Sequence, residues 1–268
     1  MGVNKNIAAV FTACLGIALL SSCNQADRIK INSRENEKPM NNQATTDSNK
    51  GFALVELFTS EGCSSCPPAD KLMEKLQQEN IDKPVYIAAF HVDYWDHLGW
   101  KDKFGAAEFT ARQRQYADWL HLKTIYTPQV VINGANEYVG SNENAIVKAI
   151  SSELGKNADN TLALQGRIEG DKLHIAYQVT GKKDNTLLLL ALVQKTAQSN
   201  VQAGENKGRH LSHVQIVRQL VQIDIQNNNS TAISLPAGFN KEGWELIGFI
   251  QHKQNGHITA ATRLDYSK

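Results

Sequence analysis

The sequence predicts an α/β domain over residues 51–157, followed by a small all-β sandwich domain over residues 158–268. Strand-like and helix-like hydrophobic patterns alternate in the first range, whereas the second range carries only the period-two pattern of strands. The chain from residue 51 onward is long enough for one large domain or two small ones. The change of pattern near residue 158 therefore marks the expected domain boundary.

The α/β pattern begins with a predicted strand at residues 53–60. Apolar residues then recur at helical spacing from Ala69 to Leu76, and Pro67 and Pro68 fit only the first turn of that helix. The remaining predicted elements are a strand at 84–92, a helix at 109–122, a strand at 129–132, a hairpin turn at Asn133-Gly134 with a short strand after it, and a helix at 142–154.

Strands alone are expected in the second range. Residues 162–168 and 173–179 alternate between apolar and polar around a turn, which is typical of a half-buried hairpin. Further strands are expected at 187–193, 214–223, 245–252 and 258–264. We expect the long loop from Ser199 to Ser212 to reach back toward the α/β domain and shape a substrate groove. His210 and His213 form an HxxH pattern without a third ligand nearby, so we expect them to order this region rather than bind metal.

The N-terminal residues have the pattern of a bacterial lipoprotein signal peptide. Lys5 precedes a mostly apolar stretch at 7–20, and Leu20-Ser21-Ser22-Cys23 resembles a lipobox, after which the cysteine becomes the acylated N-terminus. The sequence therefore predicts a signal peptide over residues 1–23 with lipid on Cys23, and a flexible polar tether over residues 24–50. Such a protein would be anchored to the outer or inner membrane and face the periplasm. Ordinary cleavage near Cys23 would instead release a secreted protein.

The charge balance gives no reason to expect a nucleic-acid partner. The chain has 28 basic and 27 acidic residues, and residues 1–22 contain one lysine and no acid, so the processed protein would have 27 of each. No basic stripe or arm is present in the sequence. Nucleic-acid binding is therefore not predicted.

Cys63-Ser64-Ser65-Cys66 is the stretch most informative about function. The chain has four cysteines, and Cys14 and Cys23 lie in the export segment, so this pair holds the only thiols of the processed body. Two thiols at this spacing, at a turn from strand to helix, predict a reversible disulfide. The unpaired N–H groups and the dipole of the helix N-terminus would stabilise a thiolate on Cys63, and Cys66 would then resolve a mixed disulfide.

Two other interpretations of the cysteine pair stay open. Half of a zinc site is disfavoured because the sequence has no second CxxC. A soft ion such as Cu(I) would suit the two sulfurs, with His91 as a third ligand, in a protein that binds or delivers metal. The pair would alternatively be inert, in an envelope adaptor whose β-sandwich binds a partner.

Five motifs resemble those of a family of secreted bacterial thioredoxin-like proteins of uncharacterised function. They are VELFTSEGCSSCPPAD (Val55–Asp70), FHVDYWDHLGWKD (Phe90–Asp102), FTARQRQYA (Phe109–Ala117), YTPQVVING (Tyr126–Gly134) and GENKGRHLSHVQIVR (Gly204–Arg218). The resemblance implies a thioredoxin-like fold for the α/β domain. It also implies that Cys63 attacks, that Cys66 resolves, and that Pro128 is a cis-proline opposite the pair.

The resemblance also implies a proton-transfer role for Glu56. Thioredoxins carry a buried acid in the corresponding strand, although Glu56 stands one residue farther from the first cysteine than that acid does. A partly exposed strand glutamate is the alternative. His91 and Trp95, in a dense group of polar and aromatic residues after the second strand, are candidate substrate-binding residues together with Thr127. A structural loop that covers the core is the alternative for this group.

The predicted activity is thiol-disulfide exchange on a protein or small-molecule disulfide, as a thiol-disulfide oxidoreductase without a bound cofactor. The direction of exchange depends on the reduction potential, which the motif leaves open. A reductase exported to an oxidising compartment would take its electrons from a membrane partner.

Overall fold

The computed structural model describes residues 50–225 and 229–266. The predicted signal peptide, the predicted lipidation site Cys23 and all but the last residue of the predicted tether lie outside the described residues. Within the described part of the chain, no helix is both long and apolar enough to cross a membrane.

The described residues form a mixed α/β structure with three α-helices. The helices are α1 Pro67–Glu79, α2 Ala107–Trp119 and α3 Glu143–Leu154, with a short 3-10 helix at Asp96–Leu98. The strands are β1 Ala53–Thr59, β2 Val85–His91, β3 Gln129–Ile132, β4 Asn136–Val139, β5 Thr161–Glu169, β6 Lys172–Thr180, β7 Thr186–Asn200, β8 His210–Asp224, β9 Ser230–Ser234, β10 Trp244–His252, β11 Ile258–Arg263 and β12 Asp265–Tyr266.

One large mixed sheet dominates the structure. Its eight strands follow the order β11-β10-β7-β8-β2-β1-β3-β4, and a second sheet has the order β12-β5-β6-β9. β1 runs parallel to β2 and antiparallel to β3. The predicted hairpin at Asn133-Gly134 joins β3 to β4, and both residues have positive φ angles, of 49° and 63°. A Cβ atom on Gly134 would lie 1.9 Å from the carbonyl oxygen of Gly256, so only glycine fits there.

The separate all-β domain expected from the sequence is not evident. β8 pairs in parallel with β2 through Ala89 and Ile216, and β7, β10 and β11 continue the same sheet beyond β8. The backbone groups on the outer edge of β2 need partners, and the C-terminal half of the chain supplies them. The period-two pattern predicted these strands, but the pattern carries no information about which sheet they join.

The alternation of side chains along β1 separates two cores. Val55 and Leu57 point to the face covered by α1, where they belong to the same buried cluster as Met73. Leu54 and Phe58 point to the other face and belong to a cluster that includes residues of α2 and β10. Glu56 lies between Val55 and Leu57 in the strand, so its side chain points to the same face as Leu54 and Phe58, away from α1.

Candidate functional site

Cys63 and Cys66 form a disulfide at the start of α1, as the sequence predicted. The two Cα atoms are 5.5 Å apart, Cys66 occupies the N-cap position, and Pro67 is the first helical residue. Both cysteines are fully buried, whereas Ser64 and Ser65 between them are exposed. The disulfide therefore lies just under the surface, and only the two serines of the motif face solvent.

Thr127, Pro128 and Trp95 lie around the disulfide. The Thr127-Pro128 peptide bond is cis, as the resemblance implied, and the Thr127 carbonyl oxygen is 3.8 Å from the sulfur of Cys63. The same carbonyl accepts a hydrogen bond from the Ser65 hydroxyl at 3.4 Å. The indole N–H of Trp95 donates to the Thr127 hydroxyl at 2.8 Å. Two of the predicted substrate-binding residues, Trp95 and Thr127, are thus in direct contact beside the disulfide.

Close packing of Trp95 restricts the residue that precedes the cysteine motif. A Cβ atom built on Gly62 would lie 2.9 Å from the Cβ atom of Trp95. Real Cβ atoms essentially never approach each other that closely, so a larger residue at position 62 would force the two segments apart. Gly62 therefore allows the loop before the disulfide to pack directly on Trp95.

His91 is placed in the interior rather than at the surface beside Trp95. Its side chain is fully buried, and its Nδ1 atom lies 2.7 Å from Oδ2 of Asp102. The other ring nitrogen has no hydrogen-bond partner. The ring instead packs edge-on against His213, with ring centroids 4.9 Å apart. A substrate at the surface would not reach His91 without displacing these buried neighbours.

The structure does not bring Glu56 to the cysteine pair. Glu56 is fully buried on the face of β1 opposite α1, and its carboxylate accepts hydrogen bonds from Nε of Arg112 at 2.6 Å and from Nη2 at 2.9 Å. The Tyr116 hydroxyl donates to the same carboxylate. The carboxylate is thus committed to an ion pair in the other core. Neither a partly exposed glutamate nor a contact with Cys66 is observed.

A second group of buried ionisable residues lies on the α1 side of the sheet, beneath the cysteine turn. Its members are Glu61, Asp70, His91, Asp102 and His213, each at most 6% exposed. Asp102 connects two of them, because its Oδ2 atom accepts the backbone N–H of Glu61 at 2.8 Å as well as contacting His91. We call these five residues the buried polar cluster. Fully buried charged groups are rare unless they are paired, so five such residues next to a disulfide mark this region as a candidate functional site.

Pairing within the buried polar cluster sets its protonation. Burial alone would lower the pKa of His213, but the carboxylates of Asp70 and Glu61 raise that pKa to about 9. Burial would raise the pKa of Asp102, but His91 and the backbone N–H groups of Glu61 and Phe104 lower it to about 2. For Glu61, burial opposes the charged form, yet the neighbouring His213 ring helps to lower its pKa. At neutral pH His213 is an imidazolium between carboxylates.

The loop between β7 and β8 also contacts the cysteine motif, as predicted for this region. The buried Asn206 side chain donates hydrogen bonds to the carbonyl oxygens of Glu61 at 2.9 Å and Cys63 at 2.8 Å. The exposed Glu205 carboxylate accepts the backbone N–H of Ser64 at 3.0 Å and its hydroxyl at 2.7 Å. β7 and β8 are longer than predicted, so the loop spans only residues 201–209. This loop crosses the motif between the two cysteines.

Sequence reasoning missed several residues of this site. Glu61 and Asp70 belong to the motif that contains the cysteines, and an acid on each side of a CxxC was an available signal. Glu205 and Asn206 lie about 140 residues away, and no spacing rule connects them to the motif. Within the described residues, no group of three or more His, Cys, Asp or Glu side chains is arranged to hold a metal ion.

The chain belongs to a family described as "Protein of unknown function (DUF1223)", which matches residues 54–251. No curated protein matches the sequence.

Two solved structures share much of the fold. A crystal structure of a protein from Agrobacterium tumefaciens is 25% identical in sequence, with a TM-score of 0.61, and the match covers 79% of this chain and 93% of that one. HBP35 of Porphyromonas gingivalis is 16% identical with a TM-score of 0.54, over 80% of this chain and 74% of that one. At that identity, the second likeness concerns the fold alone.

Proposed function

We propose that the protein catalyses thiol-disulfide exchange through Cys63 and Cys66. The observation that supports this best is the position of the disulfide, at the N-terminal end of α1 and beside the Thr127 carbonyl. The positive end of the α1 dipole stabilises negative charge nearby, which favours a thiolate on Cys63. The pair also lies just below exposed serines, so a modest movement gives a substrate access to sulfur.

The exchange proceeds in two steps when the pair acts as a reductant. The Cys63 thiolate attacks one sulfur of a substrate disulfide, which forms a mixed disulfide and expels the other substrate sulfur as a thiolate. Cys66, after losing its proton, attacks the Cys63 sulfur, so that the Cys63–Cys66 disulfide forms and the second substrate thiolate leaves. The substrate gains two electrons and, on protonation, two protons. The reverse sequence oxidises a substrate dithiol.

The proposal includes a thioredoxin-like arrangement for residues 51–157. In such an arrangement β1, β2 and β3 with α1 present the cysteine turn, and the segment of Thr127 and Pro128 lies opposite it. The substrate is a protein or small-molecule disulfide whose backbone or polar groups pair near Thr127 and Trp95. The strands of residues 158–268 serve this site by extending the sheet and by sending the 201–209 loop over the motif.

The location belongs to the same proposal and rests on the sequence. Lipid on Cys23 anchors the protein in the bacterial cell envelope, facing the periplasm, and the polar tether of residues 24–50 gives the folded part reach from the membrane. A membrane redox partner then recycles the cysteine pair if the protein acts as a reductant.

The test uses a full chain in which Cys14 and Cys23 are alanine, which we call the two-thiol chain. Its turnover of a disulfide-linked peptide is compared with that of Cys63→Ser and Cys66→Ser variants in the same chain. We expect Cys63→Ser to abolish exchange, and Cys66→Ser to accumulate a mixed disulfide detected by intact mass. If Cys63→Ser retains the turnover of the two-thiol chain, or if neither direction of exchange is catalysed, the proposed function is wrong.

A further inference from the structure

His213 joins the two flanks of the cysteine turn from a distant strand. It belongs to β8 and is only 2% exposed. Its Nε2 atom lies 3.5 Å from Oε1 of Glu61, and its Nδ1 atom lies 3.5 Å from Oδ2 of Asp70. Glu61 precedes Cys63 by two residues, and Asp70 follows Cys66 by four residues. One imidazole ring therefore lies between the acid before the disulfide and the acid after it.

The two carboxylates lie close to the cysteine backbone. Asp70 belongs to the first turn of α1, and its backbone N–H donates to the Cys66 carbonyl oxygen at 3.1 Å. The Glu61 carbonyl and the Cys63 carbonyl share the side-chain amide of Asn206. Two buried negative charges at this position oppose a third negative charge on a nearby sulfur, and would raise the pKa of the Cys63 thiol if they were not compensated.

His213 is the cation placed to compensate them. Neither ring nitrogen of His213 makes a hydrogen bond, and each lies in an ion-pair contact of 3.5 Å with one of these two carboxylates. The other groups that face the ring are His91, whose ring is 4.9 Å away between centroids, and Phe104 at 5.7 Å. Asp102 lies behind His91, and Arg218 stacks on Phe104 at 5.1 Å. His213 alone among the described basic groups bridges Glu61 and Asp70.

We propose that His213 is a positioning residue of the cysteine site, whose imidazolium offsets one of the two negative charges of Glu61 and Asp70 and thereby favours a negative charge on Cys63. This inference deepens the proposed thiol-disulfide exchange and rests on it. The role is electrostatic and acts through the two carboxylates, because no contact joins His213 to either sulfur. It assigns an electrostatic role to the second histidine of the His210/His213 pattern, and it makes β8 a component of the redox site.

The inference predicts opposite effects from removing the cation and removing an anion. His213→Gln leaves two buried carboxylates beside the turn, which raises the pKa of the Cys63 thiol by about one unit. Glu61→Gln leaves the imidazolium with a single carboxylate and lowers that pKa by a similar amount. The double variant His213→Gln with Glu61→Gln brings the pKa back toward its starting value. A role that was merely structural would not produce this sign reversal and cancellation.

The measurement uses a full chain in which Cys14, Cys23 and Cys66 are alanine, so that Cys63 is the only thiol. Its ionisation is followed by the ultraviolet absorbance of the thiolate as pH is raised. His210→Gln is the matched control, because His210 is exposed on the same strand and contacts only Asn200 through its side chain. We expect no shift of the Cys63 pKa in that variant.

The corresponding change in the reduction equilibrium is measured in the two-thiol chain. An increase of one unit in the Cys63 pKa makes the thiolate tenfold less stable, which disfavours the reduced state of the pair. Because a tenfold change in a two-electron equilibrium corresponds to about 30 mV, the reduction potential of His213→Gln should be lower by about 30 mV. If folded His213→Gln and Glu61→Gln variants shift the Cys63 pKa in the same direction or leave it unchanged, the inference is overturned. If His213→Gln alone does not fold, the double variant His213→Gln with Glu61→Gln is compared with Glu61→Gln. A higher Cys63 pKa in the double variant supports the inference, and an equal pKa overturns it.

Failure of this inference is distinguishable from failure of the proposed function. The ionisation of Cys63 is measured in a chain with one thiol, which needs no substrate and no second cysteine. If the Cys63 pKa shifts as expected in these variants but the protein catalyses no exchange, the proposed function is wrong and the role of His213 stands. If the protein catalyses exchange but the Cys63 pKa does not shift in these variants, the proposed function stands and the role of His213 is wrong.

Discussion

The side-chain amide of Asn206 donates a hydrogen bond of 2.8 Å to the backbone carbonyl of Cys63, from 143 residues farther along the chain. A second bond from the same nitrogen goes to the Glu61 carbonyl at 2.9 Å. The cysteine turn is therefore held by the C-terminal half of the protein as well as by its own helix. The two strands that carry this loop, β7 and β8, lie in the same sheet as β1 and β2.

Asn206→Ala should destabilise the protein. The Glu61 carbonyl would lose this donor, and the Cys63 carbonyl would keep only the N–H of Cys66. An unpaired buried polar group costs roughly 1–3 kcal/mol. Urea unfolding followed by circular dichroism measures the loss. Gln202→Ala is the control, because Gln202 is exposed in the same loop and bonds only to the Asn200 carbonyl. Equal stability of the two variants would show that Asn206 does not hold the turn.

Glu205→Ala should make Cys63 easier to reach. The Glu205 carboxylate accepts both the N–H and the hydroxyl of Ser64, and Cys63 beside it is fully buried. We expect faster alkylation of Cys63 in the reduced protein, measured at a pH where the thiol is fully ionised so that the rate reports access rather than charge. Lys207→Ala is an exposed control in the same loop. An unchanged alkylation rate in Glu205→Ala would contradict a covering role for this loop.

Glu56→Gln should reduce stability without slowing the release of a mixed disulfide. The substitution leaves the buried Arg112 guanidinium without its carboxylate, and breaking a buried ion pair costs about 3–5 kcal/mol. Because Glu56 lies on the face of β1 away from α1, resolution by Cys66 should keep its rate. Lys75→Gln, which breaks an exposed pair with Glu143, should change stability far less, because surface ion pairs contribute little. Slower resolution in Glu56→Gln would restore the proton-transfer role implied by the resemblance.

Stability should fall as pH rises through the titration of His213. Its pKa is raised in the folded state, from 6.5 to about 9, so the folded form binds the proton more tightly than the unfolded form. That contribution is complete below pH 6.5 and is lost between pH 6.5 and about 9. At about 1.4 kcal/mol per pKa unit, the loss is on the order of 3 kcal/mol.

The free energy of unfolding is measured in urea at several pH values across this window, for the unchanged protein and for His213→Gln. His213→Gln should remove most of the slope, since glutamine does not titrate. Asp102 and Glu61 have lowered pKa values and leave this window unaffected. Parallel slopes for the unchanged protein and His213→Gln would show that the imidazolium contributes nothing to stability.

Local elements of the fold were predictable because local patterns determine them. The apolar spacing from Ala69 to Leu76 predicted α1, and Asn133-Gly134 predicted the hairpin, since both depend on residues that are neighbours in sequence. The disulfide between Cys63 and Cys66 was predictable for the same reason. The C-terminal end of β7 was missed because residues 194–200 are mostly polar, which is typical of a loop.

Contacts between segments that are distant in sequence could not be predicted from sequence patterns. The pairing of β2 with β8 depends on which strand meets an open edge, and periodicity is silent about that choice. The same limit applies to Glu56, because the sequence does not reveal that Arg112 of α2 lies on the same face of the sheet. His213 was visible as half of an HxxH pattern, but only the fold shows that its partners are Glu61 and Asp70.

The most direct test of thiol-disulfide exchange is a redox titration of the two-thiol chain. The protein is equilibrated in glutathione buffers from about −270 mV to about −120 mV and then alkylated. Intact-mass spectrometry counts the alkylated thiols. We predict one reversible two-electron transition, in which Cys63 and Cys66 pass together from a disulfide to two alkylated thiols. A pair that stays entirely oxidised or entirely reduced across that range would contradict the account.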